Sequence, residues 1–123
     1  KPCPSTIAEL PDGAGALEPW PAERLAIAVD IGLLVNATSL GAIDPDAPLP
    51  VDLQSAAKEL IVADVTYSTP DTWLIRTAAE LGCATIDGLS LMVEQTALAL
   101  DAWSGINADR IAMREAAEEF LAV

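Results

Sequence analysis

Gly88, Leu91 and Gln95 are spaced i, i+3 and i+7, so on a helix they share one face and aim a bare backbone, an aliphatic group and a carboxamide the same way. Asn36, Thr38 and Ser39 place an amide and two hydroxyls at the end of a short apolar run. Tyr67 follows Val65, the last residue of a second such run, by two positions, so its ring can pack while its hydroxyl reaches an open crevice. All of this is hydrogen-bonding chemistry. Each such contact is worth about 0.5–1.5 kcal/mol net, enough to orient a hydroxylated ligand but not to drive a reaction. The purely structural use of the same residues is that Thr38 and Ser39 satisfy turn amides while Tyr67 packs half-buried.

The elements that must position these groups follow from the hydrophobic pattern. Leu33–Asn36, residues 60–65 and Ala84–Ile86 are short apolar or β-branched runs, the kind buried in a parallel sheet. Pro21 at a first helical position predicts a short helix to residue 28, and a second short helical piece is expected near 53–57. After Pro70, Leu74, Ala78 and Leu81 form one stripe of an amphipathic helix that Gly82 ends. Residues 89–103 are apolar on nearly every side, interrupted only by Ser90, Glu94, Gln95, Thr96 and Asp101. That helix is expected to lie between layers, where the Gln95 amide would need a partner. A last helix, capped by Asn107, is expected to run to 121 with Glu115, Glu118 and Glu119 on a solvated face.

The prolines and aspartates of residues 41–50 read as a loop, and residues 1–20 read as irregular chain with one extended piece near 6–10. Gly13-Ala14-Gly15 lacks the preceding strand and following helix that a phosphate-binding turn requires, so it reads as an ordinary loop. Asn36-Ala37-Thr38 matches the glycosylation sequon, but a buried strand end makes that match spurious. Strands alternating with helices predict an α/β fold, a partial Rossmann-like doubly wound parallel sheet (its second half) with C-terminal helices. Ligands of open sheets bind outside the carboxyl edge, where all the side chains singled out above fall.

A resemblance becomes plain on these same residues. Asp87-Gly88-Leu89-Ser90-Leu91-Met92-Val93-Glu94-Gln95, then Ala97-Leu98 and Trp103-Ser104-Gly105, resembles the C-terminal signature of the shikimate dehydrogenase family, roughly D-G-x-G-M-L-V-x-Q-A followed by W-x-G. Leu34-Val35-Asn36-Ala37-Thr38-Ser39-Leu40-Gly41 and Val62-Ala63-Asp64-Val65-Thr66-Tyr67 match two further motifs in the right order. The resemblance covers about residues 30–105. It implies the C-terminal portion of a dinucleotide-binding Rossmann-like domain over 1–123, with the substrate domain and the Gly-rich loop lying upstream of the matched region.

The implied activity is NADPH-dependent reduction of 3-dehydroshikimate to shikimate, with these 123 residues inactive alone. The resemblance assigns Asn36, Thr38, Ser39, Val65, Gly88 and Leu91 to the NADP cofactor, Gly88 because a planar ring can approach a backbone without a Cβ. It assigns Tyr67 to the substrate carboxylate and Gln95 to a substrate hydroxyl. Its catalytic Lys and Asp and its phosphate-binding basic residues lie upstream of the match; Lys1 and Lys58 match no motif, so no catalytic residue is assigned. Three positions depart from the pattern: Ser90 stands where it has Gly, Leu91 where it has Met, and Trp73 where it commonly has Pro. The alternative class is a noncatalytic binding or assembly module that retains the half-sheet.

The bulk properties narrow the class of partner, and the acidic excess is unfavourable for a dinucleotide phosphate unless basic residues are supplied locally or by another segment. Nineteen acidic against six basic residues give a formal charge of −13, which repels nucleic acid and anionic membranes. No window approaches the roughly 20 apolar residues of a membrane span. No histidine is present, and Cys3 and Cys83 form no CxxC, so a metal site is not expected and reduced thiols in a cytoplasmic protein are. An uncovered half-sheet implies a homodimer or contact with the missing N-terminal portion.

Overall fold

The computed structural model describes residues 25–56 and 59–122. The expectations for the extended piece near 6–10, for Gly13 and Gly15, and for Lys1 and Lys58 lie outside the described residues. Strands β1 (Leu25–Ala26), β2 (Leu33–Asn36), β3 (Val51–Asp52) and, after a 3-10 turn at Leu53–Ser55, β4 (Ile61–Asp64) come first; helix α1 (Trp73–Glu80), β5 (Ala84–Ile86), α2 (Gly88–Ser104) and α3 (Arg110–Leu121) follow. Three of the strands form one sheet in the order β2-β4-β5, all parallel; α1 is the crossover from β4 to β5, while β3 and the 3-10 turn lie in the crossover from β2 to β4. This is an α/β arrangement of the expected partial Rossmann-like kind. No described helix is long and apolar enough to cross a membrane.

The register divides the sheet into two faces. Leu34 pairs with Val62 and Val62 with Thr85, on the side where α1 packs. Leu60, Val62, Leu74 and Ala78 form the core there with Ile27, Leu49, Val51 and Leu53, all buried. Leu33, Val35, Ile61 and Ile86 belong to the other face and are about half exposed. α1 forms between two stops. Thr72 caps it by accepting a hydrogen bond from the Ile75 N–H, and Gly82, at φ +83°, lets the chain leave it.

Three expectations are corrected. Residues 25 and 26 are extended rather than helical: Leu25 and Ala26 pair with Val51 and Asp52, and the Ile27 N–H donates to Ser55 Oγ at 3.2 Å, so tertiary pairing overrides helix propensity. The last helix is capped by Asp109 instead of Asn107, because the Asp109 carboxylate accepts from the N–H groups of both Ile111 and Ala112 at 3.1 Å. α2 does not lie between layers; it buries only Gly88, Leu89, Val93 and Ala97, and Leu98, Leu100 and Trp103 on its other sides are exposed.

Candidate functional site

β2 and β4 end at the same level, with Asn36 paired to Asp64, and a polar node closes the sheet there. Asp64 is completely buried at the end of an apolar strand, so its carboxylate must find donors inside the protein. Its Oδ1 accepts from Asn36 Nδ2 at 3.1 Å and from the Thr66 N–H at 2.9 Å; its Oδ2 accepts from Thr72 Oγ1 at 2.9 Å. One carboxylate therefore ties together the loop after β2, the exit of β4 and the cap of α1. No buried side-chain polar atom among the described residues is left without a partner.

Asn36 is 4 % exposed, and its carboxamide is fully occupied. Nδ2 donates to Asp64 and to the Leu40 carbonyl at 3.1 Å, while Oδ1 accepts from the Thr38 N–H at 3.1 Å and from Thr38 Oγ1 at 2.7 Å. Thr38 Oγ1 accepts in turn from the Leu40 N–H at 3.2 Å. Asn36 and Thr38 thus shape the loop that carries Ser39, whose exposed hydroxyl has no protein partner among the described residues. The burial of Asn36 also agrees with reading the sequon as spurious. Asp64 is the residue that sequence reasoning passed over. The signal was available, since an acid ending an apolar strand must be paired, but its three donors lie up to 28 residues away in sequence.

Beyond the node, Val65 extends the ladder by one hydrogen bond, its N–H donating to the Asn36 carbonyl at 3.0 Å. Val65 and Tyr67 then stand about half exposed at the carboxyl edge. Gly88 is buried, and a Cβ built on it would lie 2.2 Å from the Thr66 carbonyl oxygen and 2.8 Å from the Tyr67 nitrogen. Glycine is required there because the exit of β4 packs against the start of α2. This differs from the expected reason, in which a ligand ring fills the space of the absent side chain.

Leu91 is half-buried on the same helix face, and Gln95 follows one turn further on. Gln95 is exposed, correcting the expectation of a buried amide, and it lines a shallow groove of about 330 Å³ with Thr96, Ala99, Leu100 and Trp103. Its carboxamide has no protein partner among the described residues. The seven-residue step from Gly88 to Gln95 is about 10 Å along the helix axis. The structure brings Val65, Tyr67 and Gly88 together and sets Gln95 apart along one helical face.

The basic groups are committed elsewhere. Arg76 pairs with Asp46 and Asp71, Arg110 with Glu94 at 2.9 Å and Asp101 at 3.2 Å, and Arg114 with Glu118 at 2.8 Å. A cleft of about 430 Å³ between α2 and α3 is lined by Ser90, Glu94, Arg110, Arg114, Glu115 and Glu118. The Ala108 N–H, donating to Asp101 at 2.7 Å, and then the Arg110 guanidinium hold the Asp101 carboxyl below the usual aspartate range. Glu94 and then Asp101 raise the basicity of Arg110. The apolar and hydroxyl groups at the edge suit a flat heteroaromatic ring and a polyol. Each described arginine is already ion-paired, so the described residues offer no free cation for a phosphate.

No protein-family model matches the chain. The NADP(+) shikimate dehydrogenase of Halobacterium salinarum is 41 % identical over 87 residues, which is 71 % of this chain and 32 % of that protein. The corresponding enzyme of Methylobacterium radiotolerans is 37 % identical over 99 residues, 80 % of this chain and 34 % of that protein. The chain thus spans about a third of the length of the curated relatives it matches. Among solved structures, the ligand-free 5-ketofructose reductase of a Gluconobacter strain aligns with a TM-score of 0.77 at 35 % identity, covering 80 % of this chain and 36 % of that one. The Thermus thermophilus shikimate 5-dehydrogenase, in complex with NADP(H) and shikimate, aligns with a TM-score of 0.62 at 35 % identity over 72 % of this chain and 33 % of that one.

Proposed function

This chain belongs to the shikimate dehydrogenase family, and on that premise we propose that it is the C-terminal part of the family's nucleotide domain and serves NADPH-dependent reduction of 3-dehydroshikimate to shikimate. The observation that carries the reading is the convergence of three strand ends, bearing Ser39, Val65 with Tyr67, and Gly88, at one carboxyl edge of a parallel sheet.

In this reading, NADP, when bound, supplies the hydride chemistry. Val65 and Leu91 form an apolar floor for the nicotinamide, and the rigid Gly88 turn fixes the distance between β4 and α2 around it. Asn36 and Thr38 hold the loop that offers Ser39 to the dinucleotide. Tyr67 donates its phenol to the substrate carboxylate, and Gln95 reaches a ring hydroxyl from further along α2. No general base is assigned within these residues. The base and the phosphate-binding cations belong to other parts of the enzyme that this chain helps to build, which is why the 123 residues are inactive alone.

The likeness to a ketofructose reductase extends the substrate class to other polyhydroxylated ketones, with 3-dehydroshikimate first. The half-exposed sheet face of Leu33, Val35, Ile61 and Ile86 favours a second reading, a noncatalytic assembly module. One assay separates the two. Shikimate-dependent formation of NADPH by the native protein carrying this sequence is the expected result, with none from the isolated 123 residues. Absence of turnover in the native protein with shikimate, quinate or a ketohexose leaves only the module.

A further inference from the structure

α3 contains no fully buried residue; Met113, Ala117 and Leu121 are half-buried, and its arginines add polar contacts to α2. The contacts of Arg110 run to the middle and end of α2, at Glu94 and Asp101. Arg114 instead reaches the first turn. Its Nη1 donates to Ser90 Oγ at 2.6 Å, and Ser90 Oγ donates to Asp87 Oδ2 at 2.9 Å. Asp87 is the cap of α2, its Oδ1 accepting from the Ser90 N–H at 2.8 Å and lying 3.8 Å from Arg114 Nη1. Glu118, one turn along α3, accepts from Arg114 Nε at 2.8 Å and so orients the guanidinium.

We propose that Arg114 is a positioning residue, clamping the first turn of α2 through Ser90 and Asp87 and so fixing Gly88 and Leu91 at the rim of the crevice. The turn is bounded on both sides. The Thr66 carbonyl, 2.2 Å from where a Gly88 Cβ would stand, prevents the turn from moving toward β4. The Arg114-Ser90-Asp87 relay prevents it from moving away, and a hydroxyl that accepts from a cation while donating to a carboxylate is polarised in both bonds. Ser90 stands where the resembling pattern has glycine, which offers no hydroxyl, so the clamp is a feature of this chain's own residues. The inference rests on the functional reading only for the identity of the ligand that the rim receives.

The test is amide hydrogen exchange, followed by NMR on the native protein carrying this sequence, at Ser90 and Leu91, with Arg76 in α1 as the internal reference. Arg114→Met keeps the apolar stem and removes the guanidinium. Exchange at Ser90 and Leu91 is expected to quicken by about tenfold or more while Arg76 is unchanged, and Arg114→Lys is expected to recover part of the protection. Ser90→Ala, a smaller change that preserves the helix, is expected to act in the same direction and serves if Arg114→Met does not fold. Unchanged exchange at Ser90 and Leu91, or an equal rise at Arg76, overturns the clamp. No cofactor enters this experiment, so its failure leaves the enzymatic reading intact, and a failed activity assay leaves the clamp intact.

Discussion

At the scale of single residues, Asp64 and Gly88 decide whether the carboxyl edge exists. Asp64→Ala leaves Asn36 Nδ2, the Thr66 N–H and Thr72 Oγ1 without their acceptor in a buried setting. A loss of about 3 kcal/mol or more in unfolding free energy, read from urea denaturation, is expected from unmade buried hydrogen bonds. A loss below about 0.5 kcal/mol would mean that water replaces the carboxylate. Gly88→Ala drives a methyl into the Thr66 carbonyl, a rigid backbone neighbour, so the cost is expected near 3 kcal/mol by the same measurement. The role of Gly88 as a special position was readable from its place between a strand and a helix. Its reason was not, because the sequence does not say which backbone lies opposite.

At the scale of elements, the runs that read clearly were those whose own residues decide the outcome. Leu33–Asn36 and Ala84–Ile86 are strands with the expected bounds, and Gly82 ends α1 as expected, while its Thr72 cap emerges only in the structure. β1 was not readable, since Leu25 and Ala26 favour a helix in isolation and become extended only by pairing with Val51 and Asp52. The exposure of Gln95 was hidden for a related reason: apolar composition says that a helix can be buried, not that a layer covers it. The junction of α2 and α3 carries a pH prediction. The folded-state pKa of Asp101 is depressed, so its contribution is fully present above the unfolded value near 3.9 and is lost as pH falls through the folded value. Exchange at the Ala108 amide is expected to lose its protection on that acid side, after correction for intrinsic rates, and Asp101→Asn is expected to flatten the profile. A profile unchanged by the substitution would place the titration elsewhere.

At the scale of the whole molecule, charge and exposed apolar surface oppose one another. Leu33, Val35, Ile61 and Ile86 on the sheet, with Trp103 and Phe120 on the helices, favour association, while a net charge of −13 resists contact between identical copies. Self-association is therefore expected to strengthen with added salt, as screening shortens the Debye length from about 30 Å at 0.01 M to about 8 Å at 0.15 M. Sedimentation at both ionic strengths checks this, and a monomer at high concentration in both would remove the homodimer. The proposed placement of a cyclic polyol beside a nicotinamide at the sheet edge is read most directly by the KM for shikimate of the native protein after Tyr67→Phe. Loss of one hydrogen bond to a charged carboxylate, about 1.5–3 kcal/mol, predicts a rise of roughly 13- to 160-fold with the fold preserved. An unchanged KM would contradict the placement of Tyr67 on the substrate and, with it, the crevice assigned here.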